Sequence, residues 1–183
     1  MEVEGKYVFG KPSLPERFGN SNPKFSQGEI SVNNSERVWY MSIIQLSNNA
    51  AQTIPVGGQV TFNTTILKSG CSIGQRANSG TVNINGQSGI SGIFEIGFSA
   101  NVGGPTAATA VELTIQYDGA NLNETTMISV PATATTEFNS VSTTTFIEIG
   151  NSCCATAQIT VVNTGTTDII IDANPTLYVR RIG

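Results

Sequence analysis

The chain has 183 residues, a formal net charge of −4 and only 12% charged residues, about half the usual share. A hydrophobic fraction of 39% with so little charge excludes a disordered chain, which needs the opposite balance. The acidic pI near 4.7, with Arg180-Arg181 as the one adjacent basic pair, excludes the basic stripe of a nucleic-acid binder.

Further exclusions follow from single residue types. No apolar run approaches the roughly 18 residues of a membrane-spanning helix, so neither a membrane nor a nucleic acid is an expected partner. Met-Glu-Val-Glu-Gly at the amino terminus lacks the form of a secretion leader, and synthesis in a cytoplasm is expected. Cys71, Cys153 and Cys154 are an odd set with one adjacent pair, which is not a disulfide framework. With no histidine in the chain, a zinc site is not expected. The cysteines read as reduced small side chains, and no cofactor is implied.

Charge divides the chain. Of nine basic and thirteen acidic residues, ten precede Trp39. Residues 1–38 carry Pro12, Pro15 and Pro23 without any sustained period, the mark of extended, irregular chain. Yet Tyr7, Phe9, Leu14, Phe18 and Phe25 recur through this segment, and flexible linkers are poor in aromatics. The segment reads as an arm that becomes ordered on the surface of another protein.

Residues 39–183 read as strand after strand. Val38 to Leu46 is a β-rich run, and Val56-Gly57-Gly58 turns into Gln59 to Leu67, with Val60, Phe62, Thr64 and Ile66 expected on one face. Thr81 to Asn85 ends at an Asn-Gly turn signal. Gly92 to Val102 places Phe94, Ile96, Phe98 and Ala100 inward, with Glu95, Gly97 and Ser99 outward. Val111, Leu113, Ile115 and Tyr117 alternate with polar residues up to Asp118-Gly119. Further strands are expected near Thr125 to Val130, over Phe138 to Ile149 and Ala157 to Val162, then at Ile169 to Asp172 and Thr176 to Ile182. About ten short β-branched strands separated by turns predict an all-β antiparallel jelly-roll sandwich.

Particular segments carry a family resemblance. Gly92-Ile-Phe-Glu-Ile-Gly-Phe-Ser-Ala100 resembles the glycine–aromatic strand of the globular heads of complement subcomponents. Ile54-Pro55-x-Gly-Gly-x-Val60-x-Phe62, Val111-x-Leu-x-Ile-x-Tyr-Asp-Gly119 and Pro175-Thr-Leu-Tyr-Val179 are similar to their early, central and final strands. Within the superfamily shared with tumour necrosis factor, the chain looks most like bacterial and phage versions. The resemblance implies a jelly roll packed as a trimer about a threefold axis. No collagen-like stalk precedes the head here; the aromatic-bearing arm stands in its place. Phe94, Phe98, Tyr117, Phe138, Phe146 and Tyr178 exceed what one small core is expected to hold, so subunit contacts are expected among them.

Candidate chemistry is sparse. Glu95, Glu112, Asp118, Glu124, Glu137, Glu148, Asp168 and Asp172 could supply a carboxylate pair for glycoside hydrolysis. None sits in a distinctive motif, several alternate outward as solvated positions, and nucleophilic catalysis lacks a histidine. Asp118, Asn121, Asn123 and Glu124 are close enough in sequence for a calcium loop but read as a polar turn. Trp39-Tyr40 reads as an arm-anchoring pair, and Arg180-Arg181 as salt-bridge formers at a contact. The expectation is a non-enzymatic, trimeric virion protein, a capsid decoration or short head fibre bound to a capsid or other virion protein by its arm. The rivals are a fibre tip that recognises host surface glycan through the loops at 68–80, 101–108 and 119–125, and a bacterial spore or cell-surface head.

Overall fold

The computed structural model describes residues 41–85, 92–150 and 156–183. The arm residues Tyr7, Phe9, Leu14, Phe18 and Phe25, the Trp39-Tyr40 pair, and Cys153 and Cys154 lie outside the described residues. In chain order the strands are β1 (Ile43–Ser47), β2 (Gln52–Ile54), β3 (Thr64–Ser69), β4 (Ile73–Gln75), β5 (Val82–Asn85), β6 (Gly92–Gly103) and β7 (Val111–Tyr117). They continue with β8 (Ala120–Asn121), β9 (Met127–Ser129), β10 (Asn139–Ile149), β11 (Thr156–Asn163), β12 (Ile169–Ile171) and β13 (Thr176–Arg181), with one 3-10 turn at Asn123–Thr125.

These strands form a two-sheet antiparallel sandwich. One sheet has the order β2-β12-β6-β13-β1-β3, with β10 also on β6; the other has β4-β5-β11-β7-β8, with β9 also on β7. Alternation works as the sequence predicts on the long strands. Phe94, Ile96, Phe98, Ala100 and Val102 of β6 point into the core, where they meet Val111, Leu113 and Ile115 of β7 and Ala157, Ile159 and Val161 of β11. Burial of these aliphatic faces drives the two sheets together.

Three local differences have physical causes. The expected strand Gln59 to Leu67 is two pieces, because the chain changes sheet within it. Val60 N–H donates to Val161 O at 2.9 Å in one sheet, whereas Thr64 to Ser69 pairs with β1 in the other. Val60 and Phe62 are therefore buried, but Thr64 and Ile66 are exposed rather than sharing their face inward. Glu95 and Gly97 point outward yet are buried, since side chains of β13 lie over them. Short edge strands β2 and β4 add pairing where only turns and loops were expected.

The β7–β8 turn uses Asp118 at φ +49° and Gly119 at φ +81°, left-handed geometry that this residue pair tolerates. Asp118 Oδ1 accepts the Gln158 N–H at 2.7 Å, which ties the turn to β11. Leu177 sits at the centre of the sandwich, fully buried and in register with Phe98 and Leu46. Leu177→Ala is expected to lose about 2–5 kcal/mol of stability in urea unfolding; a loss below about 1 kcal/mol would contradict that central position.

Candidate assembly face

The face with functional character is the outer surface of the β10-β6-β13-β1 sheet. Paired residues of antiparallel strands share a face, so the register lays out its rows. Phe146, Glu95, Arg180 and Ile43 form one row. Thr144, Gly97, Tyr178 and Gln45 form the next. On the other side of the first row, Glu148 is opposite Ile93, and Ile182 N–H donates to Ile93 O at 2.9 Å.

At the centre, Glu95 is held by two donors. Tyr178 Oη donates to Oε1 at 2.8 Å, and Arg180 Nε donates to Oε2 at 2.5 Å. The tyrosine reaches Glu95 because its ring lies flat over Gly97; a Cβ at that position would collide with Cε1, Cζ and Oη of Tyr178. Glycine is thus required at 97 by close approach rather than by backbone angle. The hydrogen bond from Arg180, then that from Tyr178, holds the Glu95 carboxyl below the usual glutamate range, while partial burial pulls weakly the other way.

Around this polar centre the face carries large exposed apolar side chains. Phe146 is 61% exposed, Ile182 51%, Leu67 46% and Ile93 44%. Large exposed apolar side chains gathered on one face mark a contact surface. Phe146 and Tyr178, two of the expected trimer-contact aromatics, lie on it. Phe94 and Phe98 do not: both are buried in the protomer's own core, because they occupy the inward positions of β6, and they have no surface to offer a neighbour. Tyr117 belongs to the opposite sheet and packs against the core. The Phe138 ring lies beside Gly103 at one end of β6.

Other candidate residues are spent locally. Glu112 Oε1 accepts from Thr164 Oγ1 at 2.8 Å, Glu137 Oε2 from Thr133 N–H at 3.0 Å and Asp172 Oδ1 from Ala173 N–H at 2.8 Å. Asn121 Oδ1 accepts from Gln116 Nε2 at 2.8 Å, and Asp118 is committed to β11 as above, so these two do not converge as calcium ligands. Among the described residues no three His, Cys, Asp or Glu side chains gather as a metal site. The links before and after β7, residues 104–110 and Asp118-Gly119, lie at opposite ends of that strand. The suggested glycan-recognition loops at 101–108 and 119–125 are therefore not brought to one tip. Cys71 is exposed.

Comparison with solved structures identifies the architecture. A tumour necrosis factor of Spodoptera frugiperda, Eiger, aligns with a TM-score of 0.55 at 6% identity, over 78% of this chain and 92% of that one. The globular domain of zebrafish complement 1qA aligns at 0.52 and 10%, over 76% and 94%, and murine APRIL at 0.52 and 10%, over 78% and 99%. The fold is the tumour necrosis factor-like jelly roll. No family model matches the sequence, and no curated protein matches it, so the likeness is one of fold. Sequence reading missed the Glu95–Tyr178–Arg180 cluster of this jelly roll. Its signal was present in the alternation of Glu95 with Gly97 and of Tyr178 with Arg180, but pairing β6 with β13 is what makes it one site.

Gly97→Ala displaces the Tyr178 ring and is expected to cost about 1–3 kcal/mol in denaturant unfolding. Because the folded pKa of Glu95 is depressed, its contribution is complete above the unfolded glutamate pKa of about 4.3 and is lost as pH falls through the lower folded value. Glu95→Gln should lower stability at neutral pH and flatten the acid limb of a stability–pH profile. An unchanged acid limb would place that titration elsewhere.

Proposed function

We propose that the protein is a non-enzymatic structural head that assembles as a trimer and belongs to a virion, as a capsid decoration or short head fibre attached through residues 1–38. The observation that carries self-assembly is the outer face just described. A folded sandwich that leaves Phe146, Ile93 and Ile182 in water beside a partly buried tyrosine has spare contact surface of the kind subunits cover. The strand motifs shared with complement-type heads favour threefold closure, and a cyclic arrangement satisfies all copies equally.

The absence of catalysis is inferred from how the acids are used: four of the candidate carboxylates serve turns, loops or neighbouring strands, and a fifth, Glu95, is locked by two donors. Attachment through the arm is supported by its composition. It pairs five apolar anchors with ten charges and three prolines, a composition suited to ordering on a partner, with three copies adding avidity.

Two measurements test this reading. Light scattering of the full chain should give three times the 19.2 kDa protomer mass; a protomer mass refutes the assembly. Removing residues 1–30 should leave the trimer intact while abolishing co-sedimentation with virus particles, and retained binding refutes the arm.

A further inference from the structure

We infer that the root of the arm is strapped to the head: the Trp39-Tyr40 segment folds back over the inward side of β3, with the Trp39 indole on Ile66. This contact rests on the reading of residues 1–38 as an attachment arm and places the point where that arm is held.

The receiving surface comes from a mismatch in width between the two sheets. The first sheet ends at β3, whereas the second ends at β4, which packs against β1. β3 therefore overhangs, and all six of its residues are exposed. Lys68 is opposite Ile44 and Thr65 is opposite Leu46, both buried on the core side. Ile66 is the extra residue at the register shift, and alternation from Lys68 turns it to that same core side. There Ile66 is 55% exposed, because the second sheet stops short of it. Self-assembly through the outer face leaves this opposite side open.

The occupant lies outside the described residues, and the chain itself delivers it. Ser42 marks the exit from the head, and three contacts fix it. Its Oγ is 2.5 Å from Ser72 Oγ, its carbonyl accepts the Arg181 N–H at 2.8 Å, and a Cβ on Gly70 would strike its Oγ. The exit is thus wedged beside the turn that follows β3. Trp39 is three residues from Ser42, a reach of about 10 Å. Ile66 is three residues back along β3 from Ser69, again about 10 Å, and the indole side chain spans the offset between the strands. Met41 is 66% exposed, so the path begins on open surface. Trp39 is the one tryptophan of the chain, with a large apolar area to bury. So short a tether gives an effective concentration of about millimolar or above, at which a weak apolar contact holds the segment. A second copy or a virion protein would reach the same side without that advantage.

The test is direct, because tryptophan fluorescence of the full chain reports Trp39 alone. Its emission should be blue-shifted from free tryptophan and shielded from acrylamide. Ile66→Asp, a change at an exposed position, should return both readouts to those of free tryptophan. Ile128→Asp, at a position 62% exposed on the second sheet, should leave both unchanged, with urea unfolding confirming that each variant folds. A second measurement identifies the occupant. With Cys71, Cys153 and Cys154 replaced by serine, Trp39→Cys combined with Ile66→Cys should react with a short bis-maleimide to give an internal link at protomer mass. A link at dimer mass assigns the surface to a second copy and overturns the strap. Absence of any link, or a Trp39 emission indifferent to Ile66→Asp, overturns it as well. Removing residues 1–30 keeps Trp39, so retained particle binding refutes the arm while these readouts still decide the strap.

Discussion

The structure depends on the twelve-residue strand β6 being paired along both edges. On one side β10 runs with it over eleven residues in unbroken register; on the other, β13 and β12 share its length. Double pairing fixes which side chains face inward, because a slip of one residue would turn Phe94, Ile96 and Phe98 out to water and bring Glu95 in. It also fixes the chemistry outside. Tyr178 and Arg180 meet Glu95 only because β13 lies next to β6 in this register, and Gly97 leaves the ring somewhere to lie. Core and outer face are thus two consequences of one alignment.

Low charge has a structural counterpart. Beyond residue 38 the chain has eight acids and four bases, and hydroxyl and amide groups carry the polar contacts that charges usually make. Thr114 links to both Thr126 and Thr164 at 3.1 and 2.8 Å, and Thr125 Oγ1 accepts the Ile115 N–H at 3.0 Å. Asn163 is fully buried and donates to the carbonyls of Ile54 and Thr167. Neutral groups satisfy backbone donors and acceptors without the desolvation penalty of ions. The few charges that remain on the outer face stand out against this background: Glu148 is exposed on β10, and Arg180 is held to Glu95 through Nε.

Much of the fold was legible in the residues, since strict alternation survives where one side of a strand meets a core. The strand from Val111 to Tyr117 is the plainest case, and Asp118-Gly119 marks its turn. Legibility failed where the chain changes environment in mid-segment, as between Phe62 and Thr64, where period two continues but the buried side does not. It also failed for the aromatics. Counting them predicted a surplus for contacts, yet Phe94 and Phe98 take inward positions of β6 and are buried in the protomer's own core. Phe146 sits in the same β10 alternation as the buried Ile147 and Ile149, so its exposure was readable from period two. That the exposed side belongs to a common face with Tyr178 was not, because pairing between distant strands has no local signature.

The two edges of this sheet are unlike each other. At β3 the register with β1 shifts between Gln45 and Leu46, all six residues are exposed, and Lys68 stands on the strand. A bulge and a lysine are devices that discourage further pairing. At the other edge, β10 keeps an uninterrupted register through Ile149 and presents serines, threonines and Phe146, with one acid at Glu148. A long regular edge with an exposed phenylalanine is a liability in an isolated sandwich. Cover by another surface would remove that liability, whereas the β3 edge is already guarded against further pairing.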